Sequence, residues 1–322
     1  MSAPRASVVV LTFNAGPCLG ELLGRLAAQR TDFGYEVLVV DSGSADGTAE
    51  LAGRHGAAVH RIPHEAFDHG AARNLGTSLA AGEYVAFVVQ DALPVDDGWL
   101  AAMVEVLDRD EAVAGVYGRQ IPHPRSSPLA RALVKGWPTA APERREQYAG
   151  DHYHDLPPAA QRSLATFDNV SSCVRRSVWE GIPFKRTAFG EDLRWGKRAV
   201  EAGHKLVYEP RSAVLHSHER GALYDLRRHY ADGLLLIDLF GLVPTPSLAR
   251  LLLNALRTAA HLYLSLRREG GGAPSPPRSL LLAARYALCA QAGAYLATRR
   301  SRRRRKDSGI SARLHEFLGK GI

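Results

Sequence analysis

Cysteine is scarce in this chain of 322 residues: Cys18, Cys173 and Cys289 are all there are. Three thiols so far apart make neither a disulfide framework nor a cysteine zinc site. The compartment expected from them is a reducing one. No stretch reaches about 18 uninterrupted apolar residues, so a spanning helix is not expected. The N-terminal segment does not run basic, apolar, then small in the order of a secretory leader. No Gly-x-Gly-x-x-Gly follows the first apolar run and no P-loop occurs, which argues against a dinucleotide oxidoreductase and an NTPase. Internal repeats are also lacking.

What the chain does have is 46% hydrophobic and 23% charged residues, enough for one large α/β domain with an appendage. Its formal charge of +8 is uneven, with much of the excess in Arg299-Arg300-Ser301-Arg302-Arg303-Arg304-Arg305-Lys306. Such a run is a solvated tail that seeks polyanions, either nucleic acid or anionic lipid. Upstream, apolar runs at 7–11, 36–40, 58–62 and 84–89 alternate with helical patterns at about 16–30, 47–55 and 70–81. That alternation predicts βαβ units and a mainly parallel, doubly wound sheet. Residues 120–165 are rich in Pro and Arg with weak periodicity and read as a loop or lid. Helical patterns return at 247–267 and 279–300, separated by a Gly- and Pro-rich linker at 270–277.

Three polar residues stand where apolar runs stop: Thr12, Asp41 and Asp91. In an open α/β sheet the C-terminal strand ends border the ligand crevice. One carboxylate there can accept from a base or ribose, and another can hold Mg²⁺ or Mn²⁺ on a diphosphate. The competing reading of Asp41 and Ser42 is that they shape a turn and cap a helix. His216 and His218 are two apart and would share one face of a strand, where they could jointly bind a cation or one could touch a diphosphate. Glu191 and Asp192, taken from the residues alone, are an acidic pair at a helix start, favoured by the macrodipole.

Several of these segments resemble one family, in the correct order. Val8-Val9-Val10-Leu11-Thr12-Phe13-Asn14, followed by Val39-Val40-Asp41-Ser42-Gly43-Ser44-Ala45-Asp46-Gly47-Thr48, is similar to the N-terminal signature of family 2 inverting glycosyltransferases. Phe67-Asp68-His69-Gly70-Ala71-Ala72-Arg73-Asn74-Leu75-Gly76 resembles a second signature of that family. Gln90-Asp91-Ala92-Leu93-Pro94 with Trp99, and Asn169-Val170-Ser171-Ser172 before Arg175 to Phe184, resemble its rhamnosyltransferase branch. The likeness covers residues 7 to about 220. It implies a GT-A nucleotide-diphospho-sugar fold over 1–230, with a donor half of about 1–118 and an acceptor half of about 119–230. A C-terminal helical appendage then occupies 231–322.

The resemblance also implies roles. Phe189-Gly190-Glu191-Asp192-Leu193-Arg194-Trp195 resembles the acceptor-site motif, in which Asp192 is the catalytic base and Glu191 orients it or contacts the acceptor. Thr12, Asp41, His69, Arg73, Gln90 and Asp91 fall at the nucleotide-sugar site. Asp91, His216 and His218 fall at a Mg²⁺ or Mn²⁺ site. The family's metal motif is usually Asp-x-Asp, and Val89 stands here at its first position. The expected activity is inverting transfer of a sugar, L-rhamnose first, from a nucleoside-diphosphate donor to a lipid-linked or cell-envelope glycan. The expected place is the cytoplasm, peripheral to the inner face of the cell membrane, with an anionic membrane surface as partner and no nucleic acid. Competing readings keep the fold with galactofuranose, mannose or glucose, or make the chain a non-catalytic sugar-nucleotide binder or a nucleic-acid-binding protein. Against the last, the arginines are confined to a terminal appendage.

Overall fold

The computed structural model describes residues 3–187, 189–269, 272–303, 315, 317 and 318. Two compact units form, one from Met1–Ile121 with Trp137–His216, the other from Pro122–Gly136 with Ser217–Ile322. The boundary expected near residue 230 falls inside a helix, Ala222–Phe240.

The first unit is built on a nine-stranded sheet: β1 (Ala6–Thr12), β2 (Tyr35–Asp41), β3 (Ala58–Arg61), β4 (Tyr84–Val89), β5 (Leu93–Pro94), β6 (Val113–Ile121), β7 (Arg145–Gln147), β8 (Ser171–Arg175) and β9 (Lys205–Leu215). Their order is β3-β2-β1-β4-β8-β6-β9-β5, with β7 beside β9. Every pairing among β1 to β4 is parallel, whereas β8 runs antiparallel between β4 and β6. Helices α1 (Cys18–Ala27), α2 (Thr48–Arg54), α3 (His69–Leu79) and α4 (Trp99–Arg109) follow β1, β2, β3 and β5 in turn. Alternate residues of β1 feed two separate cores. Val8 and Val10 join α1 and α4, while Val9 joins α3 and the Phe87–Phe184–Trp195 cluster. A strand buried on both faces reads as a continuous apolar run, as β1 and β4 do.

The segment 120–165 is more ordered than its composition implies. It contains α5 (Pro128–Lys135), β7, α6 (Pro158–Leu164) and 3₁₀ turns at Pro138–Ala140 and Gly150–Asp155. Elements of three to eight residues are too short to show a period, and proline here starts helices rather than breaking them. Ser127 caps α5 by accepting from the Ala130 N–H at 3.2 Å. Two further helices, α7 (Arg176–Gly181) and α8 (Glu191–Glu201), complete the first unit.

The second unit is helical. It combines α5 with α9 (Ala222–Phe240), α10 (Leu248–Arg267) and α11 (Pro276–Arg303). Ala283, Ala287, Ala290, Ala294 and Ala297 are buried in α11 at alternating steps of four and three. Such a stripe of small side chains lets helix backbones approach closely. At Gly293 a β-carbon would lie 2.3 Å from the Leu226 carbonyl oxygen of α9. By length and composition α11 is the one described helix that could cross a bilayer, and 33% of that stretch is buried. Arg304 to Lys306 of the basic run lie outside the described residues.

Candidate active site

The C-terminal ends of β1, β2 and β4 lie level on one sheet edge, with Thr12 opposite Asp41 and Leu11 opposite Val89. Asp41 is fully buried and Thr12 is 2% exposed. The Thr12 hydroxyl donates to Asp41 Oδ2 at 3.0 Å, and Ser44 donates to the same carboxylate from Oγ at 2.6 Å and from its backbone N–H at 3.0 Å. Asp41 and Thr12, expected at the nucleotide-sugar site, are tied by these contacts to each other and to the loop after β2. Gln90 behaves similarly: its amide accepts from the Phe13 N–H at 2.8 Å and donates to the Phe13 carbonyl at 3.2 Å. A carboxylate or amide whose bonds are met by neighbouring loops acts through loop shape.

Asp91 is different, because it is exposed just past β4. Its Oδ1 lies 3.8 Å from His216 Nε2, and the His216 side chain is only 4% exposed. His216 does not share a strand face with His218. β9 stops at Leu215, and the His216 N–H closes onto the last residue of β6, Ile121, at 2.9 Å. His218 lies two residues further, in the second unit.

A residue not anticipated from the sequence orients His216. Gln120 is 2% exposed, and its Nε2 donates to Asp168 Oδ2 at 2.7 Å. An ionised carboxylate only accepts, so this bond turns the amide oxygen toward His216, 2.9 Å from Nδ1. An amide oxygen also only accepts. Nδ1 therefore carries the proton in the neutral ring, and the Nε2 lone pair is left on the side of Asp91. A histidine whose second nitrogen is held in this way is arranged as a metal ligand. Carboxylate oxygen and imidazole nitrogen both suit Mn²⁺, and the oxygen suits Mg²⁺. Asp91 and His216 thus fit a divalent cation.

The second constellation opens α8. Gly190, at φ 73°, turns the chain in, and Glu191 and Asp192 occupy the first helical turn. The acidic pair does stand at a helix start, but it is packed in rather than exposed. Glu191 Oε1 lies 2.7 Å from Arg73 Nη1, with side-chain exposures of 8% and 5%. Burial disfavours the Glu191 carboxylate, yet the charges of Arg73 and His69 hold its pKa below the ordinary value. Asp192 is driven the other way. Burial, then the neighbouring charges of Glu191 and Asp168, push it up to about 7. Its Oδ1 accepts from the Leu193 N–H at 2.7 Å, and its Oδ2 lies 3.5 Å from the Asn169 N–H.

Arg73 was expected to meet a diphosphate or base. It is buried against Glu191 instead, with its Nε lacking a hydrogen-bond partner among the described residues. His69 packs edge-on to Phe67 at 4.8 Å between ring centres. Much of the segment Phe67 to Gly76 is fold machinery. Asp68 caps α3 by accepting from the Ala71 N–H at 2.8 Å. The Asn74 side chain pairs with the Phe184 backbone in both directions, at 2.8 and 3.0 Å. A β-carbon on Gly70 would sit 2.1 Å from the Lys185 carbonyl oxygen.

The sheet edge, the Asp91–His216 pair and the divided carboxylates now meet independent findings. The Glycosyl transferase family 2 model matches residues 7–160. Over 237 residues the chain is 27% identical to the O-antigen chain rhamnosyltransferase WbaN of Salmonella anatum, an alignment covering 71% of each. The chain is a glycosyltransferase with a family 2 domain. This glycosyltransferase is also 27% identical over 258 residues to an N-acetylglucosaminyl-diphospho-decaprenol L-rhamnosyltransferase of Mycobacterium tuberculosis, covering 70% of this chain and 80% of that one. Its fold is GT-A. The mannosyltransferase PcManGT of Pyrobaculum calidifontis, solved with GDP-Man and Mn²⁺, matches with a TM-score of 0.51 at 21% identity, over 98% of this chain and 79% of that one.

Proposed function

We propose that this glycosyltransferase moves L-rhamnose from a nucleoside-diphosphate donor to a lipid-linked glycan of the cell envelope, with inversion. The observation that carries the chemistry is the splitting of two adjacent carboxylates. Glu191 is held ionised by Arg73, while Asp192 is raised to about 7. A base whose pKa lies near neutrality is suited to accept a proton during reaction. In the proposed step Asp192 takes the proton of the acceptor hydroxyl as its oxygen bonds to the anomeric carbon. The bond from that carbon to the diphosphate oxygen breaks, and its electron pair leaves with the nucleoside diphosphate. Glu191 fixes Asp192 through the first turn of α8, and Arg73 keeps Glu191 charged.

Asp91 and His216 are the proposed holders of Mg²⁺ or Mn²⁺, and Gln120 keeps the His216 lone pair turned outward. When bound, the cation offsets the charge gathering on the departing diphosphate. The choice of sugar rests on the two rhamnosyltransferase relatives, and the lipid-linked acceptor on the decaprenol-linked substrate named for one of them. Such an acceptor places the enzyme at the inner face of the cell membrane, as the basic tail also suggests.

The test is a thermal-shift panel of nucleotide sugars with and without Mn²⁺, because a ligand of the native state alone raises the midpoint. Deoxythymidine- or uridine-diphosphate L-rhamnose should give the largest shift, and only with the metal. A shift with a galactofuranose, mannose or glucose nucleotide and none with rhamnose would overturn the choice of sugar.

A further inference from the structure

We infer that the outward face of α10 is the surface by which the chain rests on an anionic membrane. This rests on the membrane reading above and deepens it by naming the part of the chain in contact. α10 is apolar on two sides. Ala255, Leu262 and Leu266 are buried within the helical unit. On the other side Leu252, Leu253, Leu256 and Leu264 are 59%, 40%, 71% and 53% exposed. At 100° per residue these four span an arc of about 120°. The exposed side chains of Arg250, Arg257 and Arg268 follow along one border of the arc. An apolar arc facing solvent with a cationic border is the pattern of a helix lying in the headgroup layer of a bilayer.

Charge selects the occupant. From Ser247 to Arg303 the only acidic residue is Glu269. Its carboxylate is 7% exposed and already held by Arg131 at 2.9 Å and Lys135 at 2.5 Å. The face is therefore cationic throughout, which suits phosphate headgroups. A second copy of the chain, docked by the same patch, would set arginine against arginine. Arginine stems can lie along the apolar surface while the guanidinium reaches the headgroups. α11 continues the exposed apolar character with Leu280, Leu281 and Leu288.

The experiment is co-sedimentation of the full chain with vesicles of phosphatidylcholine, alone or mixed with phosphatidylglycerol, at low and high salt. Two double variants are compared with it: Leu252→Gln with Leu256→Gln, and Arg250→Glu with Arg257→Glu. All four positions are solvent-facing, so unchanged thermal midpoints verify the fold. The expected result is salt-sensitive binding to the anionic vesicles, weakened about a hundredfold by the leucine pair and made less dependent on phosphatidylglycerol by the arginine pair, the basic tail keeping the remainder. If the leucine variant binds as tightly as the parent chain, the α10 face is not the contact, although the membrane reading stands. If the parent chain binds no anionic vesicle, both fail. If the parent chain self-associates, the leucine variant does not, and neither sediments with vesicles, the face belongs to a second copy and the inference is overturned.

Discussion

Replacing Asp192 by Asn tests burial and chemistry together. The amide has nearly the same shape, and its oxygen can still accept from the Leu193 N–H. It cannot take a proton, so transfer should fall about 10²–10⁴-fold with donor binding kept. Stability should move in the opposite direction. The Asp192 carboxyl is raised from 3.8 to about 7 in the folded chain, first by burial, then by Glu191 and Asp168. A group whose folded pKa exceeds its unfolded value adds stability that is fully present below the unfolded pKa and is lost as pH rises through the folded one. The parent chain therefore loses stability between about pH 4 and pH 7, and then levels off. At about 1.36 kcal/mol per pKa unit the full loss is at most roughly 4 kcal/mol. The Asn variant carries no such dependence. Its advantage should be small near pH 4 and complete above pH 7, raising the unfolding midpoint by roughly 5–10 °C. Thermal unfolding of both proteins at about pH 5 and pH 8, beside transfer assays, measures both effects. Near-parent turnover would remove Asp192 from the base role. A stability difference that is the same at both pH values would refute the burial argument.

Three further outcomes are expected. Asp91→Ala and His216→Ala should each abolish the Mn²⁺-dependent part of the donor thermal shift, the exposed Asp91 with the metal-free midpoint close to the parent's and the buried His216 with that midpoint lowered; an unchanged shift in both would remove the cation from this pair. Gln120→Leu should keep the fold but raise the Mn²⁺ concentration needed for donor binding about 10- to 100-fold, the usual effect of losing the group that orients a histidine ligand; an unaltered metal titration would show that Gln120 does not set the ring. Glu191→Ala leaves the Arg73 guanidinium buried without its counter-charge and should destabilise the chain by about 3–5 kcal/mol in denaturant unfolding; a loss below about 1 kcal/mol would mean that water reaches Arg73.

Hydrophobic period and turn residues were enough to locate β1, β2, β3, β4 and the helices α1, α2, α3 and α10 to within a few residues. Each depends on local information: continuous apolar strands, an apolar helix face, and breakers at the ends. The places of Asp91 at a strand end and of Glu191–Asp192 at a helix start were legible for the same reason, whereas a role for the acidic pair came only from the family resemblance. The sequence could not say which polar residues would face outward. Asp41, Thr12 and Arg73 have suitable chemistry, and each is buried against a partner brought by another element. Gln120 illustrates the converse. It is an unremarked amide at the end of β6 whose role exists because β9 brings His216, and the chain before β8 brings Asp168, to either end of its side chain. The opposed pKa values of Glu191 and Asp192 have a similar origin. Neighbours in sequence share local propensity, but only tertiary packing gave one of them an arginine from α3 and left the other among carboxylates. Local patterns determine elements because they act over a few residues; desolvation and charge pairing determine the site because they act across contacts between distant parts of the chain.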